Sequence, residues 1–245
     1  MTTSSTYAWS PEIVEVCDEA FERIGIDPAT LTARHMRSAR RSLEFMFSDW
    51  ANVGVLLWAV DQVTVSLVQG TATYATPDAT TAILDMILRR STGTGTYLDT
   101  NIFPMQRDEY LAIPSKTQQG IPSRYYFDRT QTTASVPVVA GATGPTITLW
   151  STPDRSTDQM IYYRLRRLQD AGAGTNTLDV PYRWQEALAA GLTARMAEKF
   201  MPVSADSSIK QSSLNKRAKE ALDLAMQEDR QRAPTTMRPR FGRRY

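Results

Sequence analysis

The chain is almost without the residues that most chemistry needs. In 245 residues it has one cysteine, Cys17, and one histidine, His35. A lone cysteine excludes an intrachain disulfide and fits a reducing compartment. The same scarcity nearly excludes a zinc site of the usual ligand types, so neither a metal nor a cofactor is expected. A Cys17–His35 dyad is conceivable, but Cys17 falls on an apolar helical stripe, where a small buried hydrophobe is the plainer reading. No G-x-x-x-x-G-K-[ST] occurs, and "STGTGTY" (91–97) has no G-x-G-x-x-G and reads as a loop. The longest apolar run, "VGVLLWAV" (53–60), is too short to cross a bilayer. The opening "MTTSSTYAWSPE" lacks the basic-then-apolar order of a signal peptide. No membrane partner and no enzymatic activity are expected. Carboxylate pairs such as Asp108–Glu109 and Glu228–Asp229 keep a glycan hydrolase as a minor alternative.

Acids are also missing from the end of the chain. Six of the 28 basic residues follow the last acidic one, Asp229, so residues 1–229 hold 22 basic against 26 acidic groups, a net −4. A mildly acidic body with a basic tail is unlike a DNA-binding domain, whose body carries the basic patch. A nucleic-acid reading nevertheless stays open. It would use the tail together with Arg164, Arg166 and Arg167, which sit beside Tyr162 and Tyr163. The plainer reading of that segment is a half-buried strand whose polar side faces water or a neighbouring subunit.

What is present divides by period. Residues 10–25 read as a helix, with Ser10 as N-cap, Pro11 in the first turn, and Ile13, Val16, Cys17, Ala20 and Ile24 at helical spacing. Its other surface is acidic, and Gly25 ends it. A longer helix is predicted over about 31–58, striped by Met36, Leu43, Trp50 and Leu57, with Arg34, Arg37, Arg40 and Arg41 in its first turns. The acidic and basic helices could attract within a chain or between chains, or be two solvated faces. Alternation over 62–74 predicts a strand with Val63, Val65 and Leu67 on one face. Further strands are predicted at 124–129, 146–150 and 159–168. Residues 82–90 are ambiguous, and 107–113 form a helical turn or two. Helices return at 181–200 and 205–231. The first carries a strip of small residues, Ala187, Ala190, Gly191, Ala194 and Ala197, that permits close helix approach. The second turns Leu214, Ala218, Ala221, Leu222 and Ala225 inward.

The expected fold is therefore α+β. Helices at 1–60 and 179–232 close into an antiparallel bundle, 61–178 form a β-rich insertion, and 233–245 are an extended tail. Pro234 and Pro239 forbid a continuous helix through the tail. It still carries Arg238, Arg240, Phe241, Arg243, Arg244 and Tyr245, a set suited to a groove on a protein partner. Arg164 and Arg166, with Ala187, Ala190, Ala194 and Ala197, are the candidate subunit-interface residues.

Three stretches carry a resemblance: "WANVGVLLWAVDQVTVSLVQGTATYATP", "RDEYLAIPSKTQQGIPSRYYFDR" and "LDVPYRWQEALAAGLTARMAEKF". In this order, over roughly residues 10 to 230, the chain resembles the head-to-tail adaptors of short-tailed phages, the tail tubular protein A-like or packaged-DNA-stabilising connectors. The resemblance implies a homo-oligomeric ring, usually of twelve copies, assembled in the host cytoplasm and placed in the virion at the head–tail junction. Such a ring docks beneath the portal protein and extends the DNA channel without binding DNA specifically. It offers a platform to the downstream tail (nozzle) protein, and its C-terminal segment grips the portal. No catalytic residue carries over.

Overall fold

The computed structural model describes residues 9–53, 57–93, 95–129, 144–202 and 204–229. The chain is mixed α+β, with N- and C-terminal helices flanking a central β region, and it divides into two units, residues 1–49 with 170–245, and residues 50–169. The sequence placed these borders at 60/61 and 178/179. Residues 170–178 side with the helices because they are bonded to them. The Ile13 and Val14 amides donate to the carbonyls of Asn176 and Gly174 at 3.1 and 3.2 Å, and the Ala171 amide donates to Glu44 at 2.7 Å.

In the helical unit, α1 spans Ile13–Ile24, two or three residues shorter than expected at its start. Its N-cap is Glu12, which forms a reciprocal capping box with Glu15, while the loop carbonyls take the next two amides. Ser10 is left with no donor to satisfy. Gly25, at φ 91°, closes the helix in the left-handed conformation. α2 spans Ala33–Val53, and Thr32 and His35 cap its start by bonding each other's backbone amides. The expected helix over 31–58 is thus shorter: residues 54–56 lie outside the described set, and Leu57–Ala59 form a separate 3-10 turn.

The 50–169 unit is a sandwich of short strands. In order they are β1 (Val60–Ser66), β2 (Thr73–Ala75), β3 (Thr80–Gly93), β4 (Thr96–Asn101) and β5 (Phe103–Met105). After the short helix α3 (Arg107–Ala112) come β6 (Gln119–Gly120), β7 (Arg124–Asp128), β8 (Thr146–Trp150), β9 (Thr152–Pro153) and β10 (Gln159–Arg166). One sheet has the order β1-β10-β3-β4, all antiparallel, and the other β2-β8-β7-β5, with β5 parallel to β7. Between them lies a core of Val65, Leu67, Met86, Leu88, Met160 and Tyr162 from the first sheet and its β1 end and Tyr74, Tyr125, Ile147 and Leu149 from the second, closed by Ile102. Arg90 crosses its edge to pair with Asp154 and with the buried Asp158, whose Oδ2 accepts at 2.8 Å.

Three strand expectations change. The predicted strand 62–74 is two strands in different sheets, broken at Gly70, whose amide is held by the Pro153 carbonyl at 3.0 Å. Residues 82–90 resolve as part of the fourteen-residue β3. The expected loop at 91–97 is largely strand: β3 runs to Gly93 and β4 starts at Thr96.

After a 3-10 turn at Tyr182–Trp184, α4 spans Gln185–Phe200 and α5 spans Ala205–Glu228. Nine residues of α4 are buried, on more than one side, as a helix with several neighbours requires; its backbone approaches α1 and α5 most closely. α5 has one buried residue, Ala225, in 24.

Candidate interaction surfaces

The Arg/Tyr strand is the first candidate. Arg164 Nη1 donates to the Asp78 carbonyl and Thr80 Oγ1, both at 2.9 Å, and its Nη2 reaches Asp61 at 3.2 Å. Arg166 meets the same Asp61 carboxylate at 3.4 Å. The two side chains are 13% and 16% exposed. They bind β1 and the start of β3 to β10, so their positive charge is largely spent within the chain. Tyr162 lies in the sandwich core and offers no face to a base, while Tyr163 points outward. The alternation along β10 puts the two tyrosines on opposite sides, which breaks the expected stacking platform.

The small strip of α4 is brought to a close helix contact. Ala187, Ala190, Ala194 and Ala197 are all buried inside the chain. At Gly191 a Cβ would stand 2.6 Å from Met46 Sδ of α2. The pairs Arg195–Asp49 and Lys199–Ser42 continue that meeting of α2 with α4.

The tail candidates Arg238, Arg240, Phe241, Arg243, Arg244 and Tyr245 lie outside the described residues. The structure does fix where that segment departs. The carboxylate of Asp229, at the end of α5, is buried against Arg183 at 3.6 Å, and Arg183 also donates to the Glu228 carbonyl at 3.4 Å.

A groove that the sequence reading missed opens beside this point. It holds about 620 Å³ and is walled by α1 and by the start of α4, including Glu15, Val16, Glu19, Gln185, Glu186 and Ala189. Trp9 and Tyr182 stand at it 66% and 75% exposed. Arg23 clamps Glu186 with two bonds of 3.0 and 2.9 Å, holds Glu19 at 2.6 Å, and shares Glu186 with Arg217. The Arg23 bonds hold the Glu186 carboxyl below its ordinary range, against the opposing pull of burial. A second depression of about 350 Å³ continues between α4 and α5, floored by Ala187, Ala221 and Ala225 with exposed Leu224. Exposed aromatics were the only available signal, and Trp9 and Tyr182 are too far apart in sequence to suggest one site.

The reactive residues do not assemble. Cys17 is fully buried; burial first, then Asp18, pushes its thiol up to about 12, the profile of an inert cysteine. His35 is not paired with Cys17: its Nδ1 accepts the Thr32 amide, and its ring packs edge-on against Phe200 at 4.9 Å. Glu109 caps α3, and Asp229 faces Arg183. Among the described residues no group of three or more His, Cys, Asp and Glu could hold a metal ion, and no helix is long and apolar enough to cross a membrane.

Grooves on the helical unit and a sandwich closed on its own core are consistent with a structural, joining protein. The family model of the SU10 adaptor protein matches residues 17–240, and the chain belongs to that family. No curated protein matches it. The match runs past α5 through Arg238 and Arg240, further than the resemblance read from the sequence, and stops short of Phe241–Tyr245.

Proposed function

We propose that this adaptor is a head-to-tail connector of a short-tailed phage, of the tail tubular protein A-like kind. Twelve copies form a ring beneath the portal, extend the DNA channel for packaging and ejection, and present a docking platform to the nozzle protein. The observation that carries this reading is the family match over 17–240 on a chain whose terminal helices flank a β unit. In it the helices close as an antiparallel bundle. The net −4 of residues 1–229 supports a conduit through which DNA slides, because each basic phosphate contact would add salt-dependent grip. Arg164 and Arg166 serve the contact between copies from beneath, holding β10 to its neighbours. Ala187, Ala190, Ala194 and Ala197 serve it by setting how α4 sits.

Residues 233–245 grip the portal. Arg238, Arg240, Arg243 and Arg244 form charge-assisted bonds with carboxylates, and Phe241 and Tyr245 fill a groove. Repetition around a ring turns modest single contacts into avidity. Electron microscopy of the purified adaptor mixed with its portal should show a ring at the portal's narrow end. Deleting 233–245 should leave a folded chain that no longer stays there. A truncated chain that holds portals normally but loses DNA affinity would favour nucleic-acid binding instead.

A further inference from the structure

Two helix faces of the helical unit carry opposite charge and do not meet within the chain. On α2, Arg34, Arg37, Arg41 and Phe45 recur at spacings of three, four and four, which puts them on one ridge. All four are exposed, Phe45 by 57%. Among the described residues no carboxylate pairs with Arg34, Arg37 or Arg41; Arg37 bonds only the Ala33 carbonyl of its own helix. On α1, Glu12, Glu15, Glu19 and Glu22 form an equally regular exposed ridge. Each ridge is about 15 Å long at 1.5 Å per residue.

The acidic ridge is one wall of the 620 Å³ groove, where Glu15 and Glu19 stand with exposed Trp9 and Tyr182 over Val16 and Ala189. On the same wall Gln185 keeps its Oε1 buried without a hydrogen-bond partner. Glu15, Glu19 and Glu186 outnumber Arg23 and Arg183 in its lining, and this aromatic-lined, net acidic hollow matches an arginine ridge that ends in an exposed phenylalanine. Both are found on one chain; among the described residues the arginine ridge has no carboxylate partner, and on the acidic ridge Glu19 alone has a cation, Arg23. Unlike surfaces that fit each other across copies make a heterologous contact, and when the rotation closes such a contact builds a ring.

We infer that neighbouring copies join by seating the α2 ridge of one, Arg34, Arg37, Arg41 and Phe45, in the α1–Tyr182 groove of the next. This rests on the ring reading above and supplies its lateral contact. Phe45 enters between Trp9 and Tyr182, and the arginines lie along Glu15, Glu19 and Glu22. Because the partner is a second copy, each ring member uses both faces.

Charge exchange tests this directly. The double variant Glu19→Arg with Glu22→Arg cancels the net charge of the α1 ridge and sets two arginines opposite those of α2; Arg37→Glu with Arg41→Glu turns the α2 ridge net acidic, so that the two ridges repel. Each alone should keep the parent's circular dichroism and lose lateral assembly by at least about a hundredfold in concentration, because like charges then face each other. Mixing the two variants should restore rings of alternating copies, which an even number such as twelve permits. The quadruple variant should form rings by itself. Phe45→Ala should weaken assembly at every salt concentration. Rings formed normally by both double variants would overturn this interface and leave the ring reading standing. Loss of DNA affinity in Arg37→Glu with Arg41→Glu, with rings intact, would do the same and mark the α2 ridge as a DNA contact. A parent that forms no ring, alone or on the portal, would overturn the ring reading and this contact together.

Discussion

The sandwich and the helical unit meet the problem of a core in opposite ways. The sandwich closes on itself: large side chains from both sheets, among them Tyr162, Leu88, Met160 and Ile147, are fully buried between them. Even its buried charge is settled internally, with Asp158 and Asp154 sharing Arg90. The helical unit packs α4 closely and leaves α5 almost bare, a 24-residue helix with one buried residue. Its close contacts rest on alanines and Gly191, which contribute little transfer energy each and much closeness. One unit encloses its large side chains, and the other leaves most of a long helix exposed.

That contrast should show in where substitutions act. The largest loss of chain stability is expected in the sandwich at Arg90→Met, which strands Asp158 in its buried site, a change of about 3–5 kcal/mol; denaturant unfolding of the purified chain measures it. Leu88→Ala should cost about 2–5 kcal/mol through lost burial and a residual cavity. Its counterpart on α5, Leu224→Ala, should stay within about 0.5 kcal/mol. Equal costs at Leu88 and Leu224 would erase the distinction between the units. Next in size, Ala190→Leu and Ala194→Leu should each cost about 1–3 kcal/mol by overfilling the α4 contact, read as a lower melting temperature or blocked ring assembly. Parent-like behaviour in both would make the strip mere surface.

The smallest effect concerns pH. The Glu186 carboxyl is held below its ordinary value of 4.5, first by its bonds to Arg23 and then by those to Arg217. Its contribution is therefore complete above pH 4.5 and fades as pH falls through the lowered folded value. Glu186→Gln should flatten the acid side of the melting-temperature profile below pH 4.5 and change little at pH 7. Because Glu186 is half exposed, solvent keeps the effect modest. A variant profile identical to the parent's would mean that the Arg23 clamp adds nothing.

Legibility in the sequence followed how many faces an element buries. α1 buries one stripe, and its inward residues Ile13, Val16, Cys17, Ala20 and Ile24 were readable from period alone. β3 has apolar residues on both faces, with Met86 and Leu88 inward and Leu84 and Ile87 opposite, so no alternation marks it. β4 is exposed along its whole length and is held by backbone bonds to β3, which composition does not record. The apolar positions change parity at Leu67–Val68, just before Gly70, and a reading of 62–74 as one strand passed over that shift from one sheet to the other. The candidate surfaces were less legible than the fold. Arg164 was chosen for its charge, but that charge is met by a carboxylate and by carbonyls more than eighty residues distant in sequence. The groove joins Trp9 to Tyr182, a pairing that no local window contains.

The sandwich starts and finishes on paired strands, for Val60 of β1 lies opposite Leu165 of β10. Antiparallel partners stand about 5 Å apart. Cutting both strands there would leave ends that one or two residues can rejoin. The whole of the intervening chain thus hangs from a single narrow doorway, and it can be enlarged, trimmed or traded for another insert without moving the posts. Such an insert can be rewritten in evolution, or on the bench, as an exchangeable cassette.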